Sequence, residues 1–173
     1  ADRDAALHWF WRAAVELIDA VCELHKLNVA HRDLKPDNIM RDPETGALRL
    51  IDLEFALWPA DQSGNVQAAG TTIWWPPRPR YPYVYDARSV EIFTTGALLF
   101  HFLLFALGMV DDFDQPAERG GYDEDSPDGL RSKAAVAHHA WWLTEVCAWL
   151  AEMMSDDSAQ RPSMVESARR IRD

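Results

Sequence analysis

His31-Arg32-Asp33-Leu34-Lys35-Pro36-Asp37-Asn38 puts a potential base (Asp33), a cation (Lys35) and a carboxamide able to ligate a metal (Asn38) within one short loop. Ahead of it, apolar residues recur at Leu7, Trp11, Ala14, Ile18 and Val21, with Phe10, Leu17 and Leu24 widening the stripe. That spacing predicts a helix over roughly Asp4 to Lys26, packed along one broad face. Behind the loop, Asn38-Ile39-Met40 and Leu48-Arg49-Leu50-Ile51 read as two short strands. Between them Arg41 to Gly46 has the aspartate, proline and glycine of a turn. A hairpin there would return Asp52 beside Asn38, two oxygen ligands from separate strand ends.

Further along, residues from Asp52 to about Arg78 are punctuated by proline and glycine without a clear period, and are expected to form a long loop. Helical pattern returns near Val90. Asp111 to Asp128 is acidic and rich in glycine and proline, and reads as a solvated insertion. From His138 to Asp173 the chain is again helical, with Trp142, Val146, Trp149 and Met153 on one face. Ser158 to Ser163 interrupts it, and Ser163 with Glu166 suits a capping box for a last helix.

A chain of 173 residues, 48% hydrophobic and with eight tryptophans, can bury one core and is expected to form one domain. The formal charge of -11 speaks against nucleic-acid binding, which needs clustered lysine and arginine. The two cysteines, Cys22 and Cys147, sit in apolar helical stretches and read as buried thiols, without disulfide or zinc spacing. That fits an intracellular protein, cytoplasmic or nuclear. Nineteen residues from Ile92 to Val110 carry no formal charge, close to a membrane-spanning length. Thr94, Thr95 and His101 interrupt them and no positive cluster flanks them, so the stretch reads as a buried central helix and no membrane partner is expected. His25, His101, His138 and His139 form no metal-ligand pattern.

A base to orient a hydroxyl and positive charge for a γ-phosphate and its magnesium are the parts phosphoryl transfer requires. The spacing from Asp33 to Asn38 reproduces H-R-D-L-x-x-x-N, and on these residues the chain resembles the eukaryotic protein kinases. The resemblance implies that Asp33 accepts the substrate hydroxyl and that Lys35, placed as in serine/threonine kinases, neutralises the γ-phosphate. Asn38 would bind magnesium, and Asp52 in Leu50-Ile51-Asp52-Leu53-Glu54 is similar to the D-F-G aspartate that does the same. The implied cofactors are ATP and Mg2+, and the partner is a protein substrate.

Gly70-Thr71-Thr72-Ile73-Trp74-Trp75-Pro76-Pro77-Arg78 resembles G-T-x-x-Y-x-A-P-E, with Thr71 as the threonine that contacts the aspartate and lysine. Arg32 would receive an activation-loop phosphate, for which Ser63 and Thr72 are available hydroxyls. Glu91, in Glu91-Ile92-Phe93-Thr94-Thr95-Gly96, matches an aspartate that anchors the loop backbone, and His31 belongs to the structural part of that loop. Arg161 matches the arginine that pairs with the glutamate of A-P-E. Two departures stand out: Glu54 replaces a glycine and Arg78 replaces that glutamate. Arg161 must then find another carboxylate, or Arg78 must turn to solvent.

The implied fold is mainly α: a helical bundle around a buried central helix, with a short β-hairpin beside the catalytic loop. It corresponds to the carboxy-terminal lobe of a kinase domain over residues 1–173. A glycine-rich loop and a strand lysine, which hold ATP in the other lobe, are not in this sequence. Two readings follow. One is the larger lobe of a serine/threonine kinase, inactive alone and gripping ATP through an N-lobe outside the chain. The alternative is a pseudokinase or scaffold that binds protein partners without catalysis. The sequence leaves the oligomeric state open.

Overall fold

Phe10, Ala13, Ala14, Leu17, Ile18 and Val21 line one side of α1 (Arg3–Lys26), each at most 3% exposed. They show the three-to-four-residue recurrence of a helix that buries a single face. The computed structural model describes residues 3–60, 69–71, 74–76, 86–110 and 141–172. Full burial of a leucine or isoleucine such as Leu17 or Ile18 stabilises by about 1.5–3 kcal/mol, so this stripe is the main contribution of α1 to the fold. Asn28 follows at φ 57°, a left-handed conformation that asparagine tolerates better than most residues. It turns the chain toward the extended Ala30, which pairs with Leu57 across an isolated bridge.

A short 3-10 turn, Pro36–Asn38, leads into β1 (Ile39–Arg41), which pairs antiparallel with β2 (Leu48–Leu50). The register sets Ile39 opposite Leu50 and Arg41 opposite Leu48. The first strand therefore starts one residue later than the sequence pattern suggested, because Asn38 closes the turn. Asp42 Oδ1 accepts the amides of Glu44 and Thr45 at 3.0 and 2.9 Å, which folds the connection back on itself. Ile39, Leu48 and Leu50 rest on the core beside α1.

Asp86 caps α2 (Ala87–Ala106) by accepting the Arg88 amide at 3.0 Å. By length and composition this helix could cross a membrane, yet 89% of its apolar window is buried inside the protein. It is packed against α1 on one side and α3 (Trp141–Met153) on another. Its two threonines leave no unpaired hydroxyl, since Thr94 donates to the Val90 carbonyl and Thr95 to that of Glu91. Gly96 lies close against α3: a Cβ there would lie 2.8 Å from that of Met153.

The last helix, α4 (Met164–Arg170), opens with the capping box expected of Ser163 and Glu166. It returns to α1, burying Met164 and Ala168, and Arg172 pairs with Asp19 beyond its end. Among the described residues the result is a mainly helical fold with one small two-stranded sheet. Ser63, Thr72, Arg78, His138, His139 and the acidic stretch 111–128 lie outside the described residues.

Candidate active site

The loop from His31 to Asn38 is held from beneath by one buried side chain. Glu91, 2% exposed on the second turn of α2, accepts the main-chain amides of His31 at 2.7 Å and Arg32 at 3.1 Å on the same oxygen. Its second oxygen lies 2.7 Å from His25 Nε2 at the end of α1. Three donors compensate a carboxylate that would otherwise be costly to bury. They also fix a turn that resists forming, because Arg32 sits at φ 71°, where a long side chain is rarely found.

His31 is fully buried and ties the loop to the hairpin. Its Nε2 is 2.9 Å from the Ile51 carbonyl, and its Nδ1 receives a long, 3.4 Å contact from the Asp33 amide. Both are satisfied by the tautomer protonated at Nε2. The residue after Ile51 is Asp52.

Asp33 is 2% exposed and lies at the centre of the cluster. Its Oδ1 accepts the Thr71 amide at 2.6 Å. Its Oδ2 is 3.0 Å from Lys35 Nζ and 3.0 Å from Asn38 Nδ2, which also donates to the Asp33 carbonyl at 2.8 Å. Burial pushes the carboxyl upward, but hydrogen bonds from Thr71 and Lys35 and the lysine charge outweigh it. The group therefore lies below its ordinary value of 3.8. Lys35 reaches Thr71 Oγ1 as well, at 3.3 Å, and keeps a quarter of its side chain exposed.

Asn38 directs its amide nitrogen at Asp33, so the carbonyl oxygen is the end left for a ligand. The Ile51 amide donates to the Asn38 carbonyl at 3.0 Å, which brings exposed Asp52, at φ 63°, to the same end of the hairpin. Asp52 Oδ1 caps the Glu54 amide loosely at 3.3 Å. Two hard oxygens fit magnesium, which takes one or two protein ligands and completes its shell with water and phosphate. Among the described residues no group of three histidines, cysteines or acids could cage a metal by itself.

Thr71 is positioned by a residue that sequence reading matched to the family motif but gave no role. Gly70 adopts φ 87° and lies directly on the loop: a Cβ there would overlap the Arg32 carbonyl oxygen and come within 3.0 Å of Asp33 Oδ1. His25 was likewise missed, since nothing in an amphipathic helix marks one histidine as the partner of a distant carboxylate. Glu54 is exposed and outside the left-handed residues; the unusual backbone belongs to Asp52 instead.

For Arg161 the sequence left two outcomes, another carboxylate or an Arg78 turned to solvent, and Arg78 lies outside the described residues. Among the described residues Arg161 makes no ion pair: Nε donates to the Ser155 carbonyl at 2.9 Å and Nη1 to the Ser89 carbonyl and hydroxyl at 2.9 and 3.1 Å. The guanidinium lies over the Phe93 ring at 5.2 Å. Burial lowers its pKa, and Asp156, Asp157 and Asp86 offset that only through space. A planar fork with neutral acceptors can be buried without a carboxylate if its donors are used.

A family profile described as protein kinase domain matches residues 9–170. The chain is 32% identical over 105 residues to serine/threonine-protein kinase chk1 of Schizosaccharomyces pombe, covering 60% of this chain and 20% of that protein. It is 28% identical over 156 residues to CBL-interacting protein kinase 4 of Oryza sativa, covering 76% of this chain and 34% of the other. A dual serine/threonine and tyrosine protein kinase of Xenopus laevis is 27% identical over 153 residues, 87% of this chain and 16% of that one. The chain thus spans about a third or less of these curated relatives.

Proposed function

The chain belongs to the protein kinase family, serine/threonine type, and from that premise we propose that it is the carboxy-terminal lobe of an enzyme that moves the γ-phosphate of ATP to protein serine and threonine hydroxyls. The single observation that carries this reading is Asp33 with Lys35, Asn38 and Thr71 all within hydrogen-bond reach of its carboxylate or of one another.

In this account Asp33 accepts the hydrogen bond of the acceptor hydroxyl and orients its oxygen in line with the phosphorus, and its ionised state at neutral pH suits it to that task. Lys35, partly exposed beside it, places a cation where the transferred group gains charge. Thr71 holds both side chains in register. Asn38 and Asp52 would hold magnesium, which supplies charge neutralisation on the phosphates when bound. Glu91 keeps the loop in its left-handed turn, so its effect on the reaction passes through Arg32 and His31.

A glycine-rich loop and a strand lysine are needed to grip the nucleotide, and positioning of that kind is worth about 7–11 kcal/mol of a barrier. This chain alone is therefore expected to transfer little phosphate. The cellular setting we propose is intracellular, cytoplasmic or nuclear, on the two cysteines held as buried thiols.

A second reading, a scaffold that binds proteins without catalysis, is favoured by Arg161, which among the described residues holds its place through Ser155 and Ser89 without the carboxylate that an active substrate-docking surface would offer it. The flanking coding sequence separates the two: a glycine-rich loop and strand lysine upstream support the enzyme, and a coding sequence without them supports the scaffold. Phosphate transfer by the full-length protein, with Asp33→Ala beside it, is the direct test.

A further inference from the structure

The guanidinium of Arg161 is engaged on one side only. Nε and Nη1 bond to the Ser155 and Ser89 carbonyls and the Ser89 hydroxyl, whereas Nη2 makes no hydrogen bond to a described residue. The side chain is half-buried over Phe93, and Asp156, Asp157 and Asp86 act on it only through space. A cation held in place with two donors unused is built to receive an anion with paired oxygens. One group that can become such an anion already touches it: Ser89 Oγ lies 3.1 Å from Nη1.

We propose that Ser89 is a phosphorylation site and that Arg161 receives its phosphate. The modification moves the γ-phosphoryl group of ATP onto Ser89 Oγ. The bond from that phosphorus to the β–γ bridging oxygen breaks, the Oγ–P bond forms, the hydroxyl proton leaves to the modifying enzyme's base, and ADP departs. Any protein-serine kinase can supply the group, so the proposal does not depend on the activity of this chain.

A phosphoserine carries about −1.5 to −2 charge at pH 7 and three acceptor oxygens. With Oγ already beside Nη1, those oxygens come within reach of Nη2, and a neutral contact becomes a two-pronged, charge-assisted pair. Ser89 is half-buried on the first turn of α2, and helix ends fray, which gives a kinase access to the hydroxyl. Asp86, Asp156 and Asp157 oppose a new negative charge. All three are exposed, so solvent and salt screen them while Arg161 is in contact. Glu91, the anchor of the catalytic loop, is two residues further along the same helix. A phosphate clamped to Arg161 would therefore fasten the end of α2 that positions the loop.

The experiment uses full-length protein with phosphoserine encoded at position 89, beside the unmodified protein. The second pKa of a phosphoserine is ordinarily about 6. By phosphorus NMR it should lie at least about half a pH unit lower in the native protein than in the same protein unfolded in urea, because a paired cation favours the dianion. Arg161→Gln should remove most of that difference. The modified protein should also melt about 2–4 °C above the unmodified one, a gain absent in Arg161→Gln. The urea reference keeps the test decisive if Arg161→Gln does not fold. Coincident native and unfolded values, or a melting gain that survives Arg161→Gln, would overturn Arg161 as the receiver. Peptide mass spectrometry of the protein from its own cells, harvested with phosphatase inhibitors, should find phosphate on Ser89. A Ser89 peptide recovered only unmodified would overturn the modification site.

Discussion

Glu91 Oε1 lies 2.7 Å from the His31 main-chain nitrogen, and the same oxygen accepts the Arg32 amide at 3.1 Å. A side chain from the central helix thereby sets the backbone of the loop that carries Asp33. Removing it strands two buried amides and the ring of His25 together. Glu91→Ala should cost roughly 3 kcal/mol in urea unfolding, from about 1–3 kcal/mol for each buried group left without a partner. Glu91→Asp, one methylene shorter, should cost less because it keeps the amide bonds while weakening the reach to His25. Equal stability of Glu91→Ala and the parent protein would refute the anchoring role.

The pH dependence of stability carries a signature of Asp33. Its folded-state pKa is depressed below 3.8, so the folded protein binds the proton less readily than the unfolded chain does. The stabilisation from its carboxylate is thus present above about 3.8 and is lost as pH falls through the lower folded value. Stability of the parent minus that of Asp33→Asn should be level from pH 7 to about 4 and shrink below it. Glu16, Asp42 and Glu166 are also depressed, the first two partly buried and the last exposed, and their share of the acid limb cancels in the difference between the parent and Asp33→Asn. A difference that grows as pH falls would contradict the sign.

Much of this arrangement could be read from the chain before any coordinates. The stripe from Leu7 to Val21 marks α1 because burial of one helical face imposes its own period. The hairpin, the buried central helix and the Ser163–Glu166 cap follow from patterns that are likewise local. What escaped sequence reading depends on distance in space. His25 meets Glu91 across 66 positions, and no local pattern encodes that meeting. Gly70 matches a motif glycine in sequence, but the reason for it is visible only once the Arg32 carbonyl is placed beneath it. For Arg161 the sequence left open either another carboxylate or an Arg78 turned to solvent. Ser155, Ser89 and Phe93 hold Arg161 through carbonyls, a hydroxyl and a ring, none of which leaves a charge pattern in sequence.

Gly96 is confined by packing alone. A methyl group added there would meet the Cβ of Met153 at 2.8 Å, an atom fixed to the α3 backbone, so the two helices must part. Gly96→Ala should lower unfolding stability by about 1–3 kcal/mol, the usual cost of overfilling a packed core. The gain in helix propensity, about 1 kcal/mol, is too small to reverse the sign. A higher melting temperature for the variant would show that α2 and α3 are farther apart than this.

Glu54 presents a negative charge two residues from Asp52 without needing a glycine's backbone. Its effect on transfer should therefore be electrostatic, and Glu54→Gln should raise phosphotransfer by the full-length protein about as much as Glu54→Gly. An exposed like charge is worth about 1 kcal/mol, or roughly fivefold in rate. If only Glu54→Gly raised the rate, the hinge rather than the charge would be responsible. Unchanged turnover in both would remove Glu54 from any inhibitory role.

The central claim is that Asp33 directs a hydroxyl onto the phosphorus of ATP, and radiolabelled phosphate transfer by the full-length protein tests it most directly. With Mg2+ and labelled ATP, transfer to serine or threonine of an acceptor protein should be measurable, and Asp33→Ala should reduce it by about 10²–10⁴-fold while the variant still folds. Transfer that survives Asp33→Ala undiminished, or a folded full-length protein that transfers none, would contradict the account.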